Sequence, residues 1–302
     1  TTTTQTINLN NSDRLALRDV SDAIRRFSGA DIKDYGGVGG LKTVSVRGLG
    51  SKHTSVCYDG IPVTDCQNGQ VDLGRFSLDQ LDDITLYIGE NDALNDIASS
   101  YASPSMLNLL SFIPTYGDKN YNAMAKISGG SFGLFNPFLS FDHKIGKDNS
   151  LKVSADFLRS DGNYPYTLTN GQLKTEEIRE HSAAASDHGE LSGYFKLSSK
   201  TLLRAKTYYY MSDRELPGGV VLYNTVSNET LKDKNAFAQF SSRTDWDKTM
   251  LKICGKFNWN ASYYHDEAMK YPNGVLDNRY FQREWYGGTV VRHNFTEKFF
   301  VD

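Results

Sequence analysis

The sequence lacks the features that would place the chain in several common classes of protein. No stretch approaches the roughly 18 consecutive apolar residues that a transmembrane helix needs, so a helical membrane protein is excluded. The net charge of the 302 residues is −3, which gives no electrostatic reason to expect a nucleic-acid partner. The Thr-rich start has neither the basic nor the apolar segment of a signal peptide, so an exported protein would be mature or trimmed here.

Patterns typical of catalysis and metal binding are also missing. The six histidines show no tight metal-ligand spacing, and no serine has a matching histidine and aspartate pattern. The glycine cluster at 36–40 does not open a helix with a lysine, as a phosphate-binding loop would. We therefore expect no enzymatic activity, no cofactor and no metal. Three cysteines define no disulfide framework. Cys57 and Cys66 flank a predicted hairpin and could pair in an oxidising periplasm, which the sequence leaves open.

What the sequence does have is a regular alternation of short turns and long polar connections after residue 121. The short turns carry lysines that recur about every 50 residues: Lys147, Lys200, Lys248 and Lys298. The long connections cover roughly residues 160–183, 212–235 and 265–279. Short turns at one end of the strands and long loops at the other predict an antiparallel up-and-down barrel. Outer-membrane barrels have this asymmetry, with short periplasmic turns and long extracellular loops.

The segments between these turns alternate apolar and polar residues, most clearly from Leu251 to Tyr263. We predict eight strands between Tyr121 and Phe295, with a ninth beginning at 299–302. A soluble antiparallel sheet with one wet face is the alternative, but it does not explain runs of about 10–14 residues, where globular strands average about 5–6. Aromatic residues near the predicted strand ends would suit the girdles of a membrane barrel. They are Tyr208, Tyr209, Tyr210, Trp246, Tyr263, Tyr264, Tyr280 and Trp285.

Residues 1–113 follow a different, mixed α/β pattern. Apolar residues at helical spacing predict a helix over 13–27, and strands are predicted over 42–47, 54–58 and 83–88. Asp59-Gly60 gives a hairpin signal, and residues 78–81 read as a short helical turn. We expect one domain over 1–115 and the first part of a barrel over 116–302.

Four segments of the first region form an ordered set. They are 23–32 (Ala-Ile-Arg-Arg-Phe-Ser-Gly-Ala-Asp-Ile), 44–48 (Val-Ser-Val-Arg-Gly), 53–63 with its Tyr-Asp-Gly-Ile-Pro-Val ending, and 81–110. This set resembles the plug domain of TonB-dependent outer-membrane transporters. Thr85, Ile88 and Ala102 depart from that pattern, standing where an acid, an arginine and a glycine are usual. Residues 36–42 and 67–77 are similar to receptors of the Bacteroides group.

The resemblance implies a transmembrane β-barrel of 22 strands whose lumen holds the N-terminal plug. At roughly 25 residues per strand such a barrel needs about 550 residues, so this chain would supply about a third, either as a fragment or with the rest missing. The implied function is TonB-dependent import of a scarce, bulky nutrient across the bacterial outer membrane. A corrinoid such as cobalamin is the first candidate, with haem, ferric siderophores and glycans as alternatives. The implied partners are TonB on the periplasmic side, outer-membrane lipids and a surface lipoprotein lid. No TonB box is convincing in residues 1–7.

Candidate substrate contacts lie in two plug loops, 35–41 and 64–71, and in two long barrel loops, at 164–166 and 216–219. The first plug loop, 35–41, is rich in glycines, which permit positive φ and close approach of a ligand. The residues expected to contact substrate are Tyr35, Val38, Asp65, Gln67, Asn68, Gln70, Tyr164 and Tyr166. Arg47 is expected to anchor the plug to the barrel wall by charge-assisted hydrogen bonds. The plain alternatives are that glycine clusters make turns and that tyrosine pairs pack loops. An outer-membrane barrel enzyme, and a closed eight-stranded barrel with residues 1–113 outside it, remain as rival architectures.

Overall fold

The structure is a computed structural model that describes residues 3–9, 17–66, 69–89, 97–98, 102–220, 227–296 and 299–302. Over these ranges the chain forms two structural units, an N-terminal unit that ends with a strand at Ser111 and a large sheet that begins at Tyr121. No helix within the same ranges has the length and apolar character needed to cross a membrane.

The N-terminal unit is built on a mixed five-stranded sheet and a separate two-stranded hairpin. Its strands are β1 (Thr3–Asn8), β2 (Ala30–Asp34), β3 (Lys42–Val46), β4 (Thr54–Tyr58), β5 (Ile61–Pro62), β6 (Leu81–Ile88) and β7 (Ser105–Ser111). The sheet order is β1-β6-β7-β4-β5, with β4 and β7 parallel, and β2 pairs with β3. Short 3-10 turns cover Ser51–His53, Leu73–Arg75 and Leu78–Gln80. The predicted strands, the Asp59-Gly60 hairpin and the short helical turn are confirmed.

The one α-helix described, α1 (Val20–Ile24), is shorter than predicted. Asp19 ends the helix on its N-terminal side because it has extended backbone angles and its side chain accepts a hydrogen bond from the Asp22 N–H at 2.9 Å. An N-cap of this kind satisfies a free helix donor. The helix predicted over 13–27 is therefore wrong for residues 17–19 and 25–27, and residues 13–16 lie outside the described ranges. Val20 and Ile24 are fully buried, as their helical spacing predicted.

The large sheet has nine antiparallel strands in sequence order. They are β8 (Tyr121–Gly130), β9 (Leu134–Ile145), β10 (Asn149–Ser160), β13 (Ala184–Lys196), β14 (Thr201–Leu216), β15 (Glu229–Asp245), β16 (Thr249–Glu267), β17 (Val275–Asn294) and β18 (Phe300–Val301). A separate hairpin, β11 (Tyr164–Asn170) and β12 (Leu173–Arg179), lies in the connection between β10 and β13. This confirms eight strands and the start of a ninth. β8 and β18 each pair with a neighbour on one side only over the described residues, so the sheet is not a closed eight-stranded barrel.

The tight turns at Lys147, Lys200 and Lys248 lie where the lysine spacing predicted them, and Lys298 lies outside the described residues. Two of the long connections are shorter than expected. β14 continues to Leu216 and β15 begins at Glu229, and β16 continues to Glu267. These strand ends are rich in charged and polar residues, so their sequence resembles a loop. Cross-strand ion pairs such as Lys232–Asp213, at 2.7 Å, extend the ladder instead.

The two faces of the large sheet have opposite character. One face exposes apolar side chains, including Val153, Phe240 and Trp285, at 50%, 45% and 81% exposure. The other buries polar side chains such as Lys206 and Asn258 against the N-terminal unit. Tyr208 and Tyr210 also lie on this inner face and are 2% and 6% exposed. Their predicted place in an aromatic girdle is therefore wrong, because alternate residues of a strand face opposite sides.

Candidate functional site

The inner face of the large sheet meets the N-terminal unit through a buried ionic cluster. The Lys206 ammonium on β14 lies 2.7 Å from an Asp59 carboxylate oxygen and 3.5 Å from Glu190 on β13. The Tyr58 hydroxyl donates to both carboxylate oxygens of Glu190, at 2.8 and 2.9 Å. Burial, together with Glu190 and Asp59, holds the pKa of the Tyr58 phenol well above its usual value, so it stays a donor. The N-terminal unit thus places one acid and one phenol against a lysine–glutamate pair.

The turn after β4 and the end of β7 position the Asp59 carboxylate. Asp59 has a φ of 53° at the turn after β4, and Ser111 at the end of β7 donates to the Asp59 carboxylate through its N–H and its hydroxyl, both at 2.8 Å. The turn and Ser111 therefore hold the Asp59 carboxylate in place opposite Lys206. The His188 imidazole continues the cluster along β13, with Nδ1 2.7 Å from Asp156 and Nε2 3.0 Å from Glu190.

An aromatic cluster lies beside these charges and joins both units. Tyr58 and Phe76 come from the N-terminal unit, while Tyr208 and Phe237 come from the large sheet. The Tyr208 and Phe237 rings stack with centroids 4.5 Å apart, and Phe76 lies 5.3 Å from Tyr58. The Tyr208 hydroxyl also donates to the backbone carbonyl of Arg75 at 2.7 Å. Apolar contact and directed hydrogen bonds thus hold the same interface.

Asp72 forms a second junction, in which two loops of the N-terminal unit meet the sheet. Its carboxylate accepts hydrogen bonds from the backbone N–H groups of Lys42 at 3.1 Å and Gly74 at 2.9 Å. Arg214 on β14 donates to Asp72 at 2.8 Å and also pairs with Asp233 on β15. One buried carboxylate thereby connects the base of the 35–41 loop, the end of the 64–71 loop and the sheet.

The 35–41 loop is seated at the long-loop end of the sheet. The Tyr35 N–H donates to the Leu41 carbonyl at 3.0 Å, which closes the loop, and the side chains of Tyr35 and Val38 are 55% and 39% exposed. Gly39 has a φ of 76°, and a Cβ added there would overlap the Cβ of Ala184 at the start of β13. Only glycine permits both the backbone angle and the close approach.

The 64–71 loop meets a different part of the sheet. Lys256 donates to the Pro62 carbonyl at 2.8 Å, and Asn258 and Asn260 donate to the hydroxyl and carbonyl of Thr64 at 3.2 and 3.3 Å. Thr64 also donates to Glu284 on β17. These bonds hold the loop against β16 and β17.

Comparison with known proteins identifies this arrangement of the two units. The family described as the TonB-dependent receptor plug domain matches residues 1–101. The N-terminal unit thus carries a plug domain of the kind found in TonB-dependent receptors. The vitamin B12 transporter BtuB of Photobacterium profundum is 25% identical over 190 residues, which are 61% of this chain and 30% of BtuB. The N-terminal unit therefore corresponds to the plug of such receptors, and the large sheet corresponds to part of their β-barrel.

Solved structures of the same family share the fold across the whole chain. A ferric enterobactin receptor mutant from Pseudomonas aeruginosa, in complex with enterobactin, has a TM-score of 0.70 at 14% identity. The match covers 98% of this chain and 47% of the receptor chain. The ferripyoverdine receptor of the outer membrane of P. aeruginosa, bound to ferripyoverdine, has a TM-score of 0.66 at 13% identity, covering 96% and 39%. The chain therefore spans less than half the length of these relatives. The named relatives are a transporter and receptors.

The structure places the predicted contact residues in two groups along the barrel wall. The loop that carries Tyr35 and Val38 meets Ala184, at the start of β13, through Gly39, and Tyr164 and Tyr166 lie on β11 of the hairpin that precedes β13. The Tyr164 ring is 6.3 Å from Tyr166 and 5.9 Å from Phe132, so part of its surface packs within the loop region. Asp65 and Gln70 are half-buried on the β16 side, and Gln67 and Asn68 lie outside the described residues. Their contact with substrate stays a prediction.

The ion pairs found between plug and barrel do not use Arg47. This residue has a φ of 50° in the turn after β3, its side chain is exposed, and its backbone N–H donates to the Gly29 carbonyl at 2.8 Å. Its anchoring role stays a prediction, while Lys206, Arg214 and Lys126 make the charged contacts; Lys126 lies 2.9 Å from Asp79 of the plug.

The cysteines are free thiols. Cys57 and Cys254 are buried and Cys66 is half-buried, so Cys57 and Cys66 do not form the disulfide that the sequence left open. Burial, followed by the nearby Asp65 and Asp233 carboxylates, raises the pKa of the Cys66 thiol to about 11. Where side chains are described, no group of three or more histidine, cysteine or acidic residues is arranged to hold a metal ion.

Proposed function

We propose that the complete protein imports a scarce, bulky nutrient across the outer membrane, driven by TonB, and that this nutrient is a corrinoid such as cobalamin. The observation that carries the proposal is the plug held against the inner face of the barrel wall by Lys206, Arg214 and the aromatic cluster. A receptor that must stay closed until it is driven needs a plug fixed in the lumen. The outer membrane offers no ATP, so a mechanical link to an inner-membrane energy source is a physical solution.

The order of strands in the plug supports transmission of force from the N-terminus. β1 is an edge strand, and it pairs only with β6 within the described residues. TonB, acting on a segment near the N-terminus, would peel β1 from the sheet one pair at a time, which requires less force than shearing all pairs together. In this proposal the plug covers residues 1–115 and the barrel begins at 116, a division supported by the gap between β7 and β8.

Support for a corrinoid comes from the relative named as a vitamin B12 transporter. The siderophore receptors share the fold at 12–14% identity, so ferric siderophores are the main alternative, followed by haem and glycans. The proposed contacts in the plug loops are Tyr35, Val38, Asp65, Gln67, Asn68 and Gln70, and those in the barrel hairpin are Tyr164 and Tyr166. A surface lipoprotein covering the loop side is a further proposed partner, as in receptors of the Bacteroides group that the sequence resembles.

Uptake by cells that produce the complete protein tests the proposal. Labelled cyanocobalamin, haem, a ferric siderophore and an oligosaccharide are supplied in turn, with and without TonB. We expect TonB-dependent uptake of the corrinoid alone. Tyr35→Ala should weaken its binding about tenfold by removing an aromatic contact, while Tyr209→Ala, on the outer face, should leave it unchanged. Uptake of another solute instead would identify that solute as the substrate in place of the corrinoid. Uptake that is independent of TonB would contradict the mechanism.

A further inference from the structure

Arg75 presents an unusual feature of the plug, a buried guanidinium with two nitrogens that lack an acceptor among the described residues. It ends the 3-10 turn Leu73–Arg75 and is 5% exposed. Its Nε and Nη2 atoms have no hydrogen-bond partner among the described residues, and its guanidinium lies over the face of the Phe76 ring, at 5.3 Å. Buried arginines are almost always paired, because burying an unpaired cation is costly.

Three acids, Asp65, Asp72 and Asp233, line the same cleft as Arg75, and the last two are committed to other groups. Asp72 accepts from two backbone N–H groups and from Arg214. Asp233 pairs with Arg214 and accepts from the Ser262 hydroxyl at 2.7 Å. Neither acid is placed to neutralise Arg75 without breaking the junction between plug and barrel.

Arg75 lines a narrow cleft between plug and barrel, and a second unpaired donor lines the same cleft. Arg214 is 3% exposed, and its Nε has no partner in the described ranges although its other nitrogens are paired. The cleft therefore receives free N–H groups from both sides, one from the plug and one from the barrel wall. It has room for a small ion but not for a bulky solute.

We propose that this cleft binds a small inorganic oxyanion, such as phosphate, between Arg75 and Arg214. The Nε and Nη2 groups of Arg75 form one edge of the guanidinium, a fork of two parallel donors that matches two oxygens of a phosphate or carboxylate. The remaining oxygens would accept from the Nε of Arg214. The bound anion thus links plug and barrel and neutralises the guanidinium that the protein leaves unpaired. This site does not depend on which solute is imported.

Cys66 lines the same cleft and provides a built-in reporter. In the complete protein with Cys57 and Cys254 replaced by alanine, alkylation of Cys66 is followed with inorganic phosphate or with chloride at equal ionic strength. We expect saturating phosphate to slow alkylation about tenfold, because the anion blocks the cleft and disfavours the thiolate. Arg75→Gln should abolish this effect, and Arg75→Lys, which keeps the charge but loses the fork, should weaken it.

Matched variants separate this site from general salt effects and misfolding. Arg26→Gln removes an exposed arginine of the plug and should leave the phosphate effect intact. Asp65→Asn removes negative charge from the cleft and should preserve or strengthen it. If phosphate fails to protect Cys66 in the wild-type protein, or protects it equally in Arg75→Gln, the proposal is wrong.

Discussion

Replacing Lys206 by methionine should weaken the hold of the barrel on the plug by a large, measurable amount. The lysine side chain is 4% exposed, and its partners Asp59 and Glu190 are 9% and 3% exposed. Lys206→Met removes the only lysine or arginine within ion-pair distance of these two carboxylates in the described structure. Removing one partner of a buried ion pair leaves an uncompensated charge and costs about 3–5 kcal/mol. The lysine also lies 3.5 Å from the centre of the Tyr58 ring, so a cation–π contact is lost as well.

Thiol labelling of Cys57, which is fully buried in the plug, measures this loss in urea. With the other two cysteines replaced, labelling reports opening of the plug. At a slope of roughly 1–3 kcal/mol per molar urea, the midpoint for Lys206→Met should fall by at least about 1 M. Adding Asp59→Asn and Glu190→Gln to Lys206→Met should restore part of the urea midpoint, because the two buried carboxylates left without the lysine are then replaced by neutral amides.

Lys200→Met is the matched control for this prediction. Lys200 lies 2.8 Å from Asp247 on the turn side of the barrel, but the two side chains are 46% and 91% exposed. Solvent screens such a pair, so the urea midpoint should not move. A midpoint for Lys206→Met that matches this control would refute the anchoring role of the buried cluster.

Three further predictions concern substitutions or titrating groups in the plug. Gly39→Ala should displace the 35–41 loop and lower solute affinity at least tenfold, because its Cβ would overlap the barrel wall; Gly37→Ala, with a φ of 70° and nothing within 4 Å, should cost only the backbone strain of about 1–2 kcal/mol. Cys66, with a pKa of about 11, should react with iodoacetamide at pH 8 about two orders of magnitude more slowly than an ordinary thiol of pKa about 8.5. Burial opposes ionisation of Asp19, but the Lys42 ammonium 2.5 Å away outweighs it and lowers the pKa. The resulting stability should be present above about pH 4 and be lost as pH falls through the lowered pKa, a loss that acid unfolding should show and that Asp19→Asn should reduce.

The barrel could be predicted from sequence because its signal is local and repeated. The alternation from Leu251 to Tyr263 sets the two faces of β16, and the lysine-bearing turns set the strand count. The same alternation corrects the prediction of the aromatic girdle. Tyr209 faces outward, so its neighbours Tyr208 and Tyr210 on the same strand must face inward. The true ends of β14 and β15 could not be predicted, because beyond the lipid a strand no longer needs an apolar face.

The contacts between plug and barrel were beyond prediction from this one sequence. Lys206 and Glu190 could be read as inward-facing charges of a strand, but their partners Tyr58 and Asp59 lie more than 100 residues earlier in the chain. Which plug residue meets which strand depends on packing that leaves no local signature. Asp72 was missed for the same reason, as its role appears only when two loops and β14 come together.

A thiol crosslink between plug and barrel wall tests the central claim most directly. Thr64 and Asn258 form a side-chain hydrogen bond of 3.2 Å between a plug loop and β16. Both are changed to cysteine in the complete protein, without the native cysteines, and a short reducible crosslinker is applied in outer-membrane preparations. We predict efficient crosslinking and a halt to solute uptake in cells that is reversed by reductant. Failure of the two thiols to crosslink in the folded protein would show that the N-terminal domain does not lie inside the barrel.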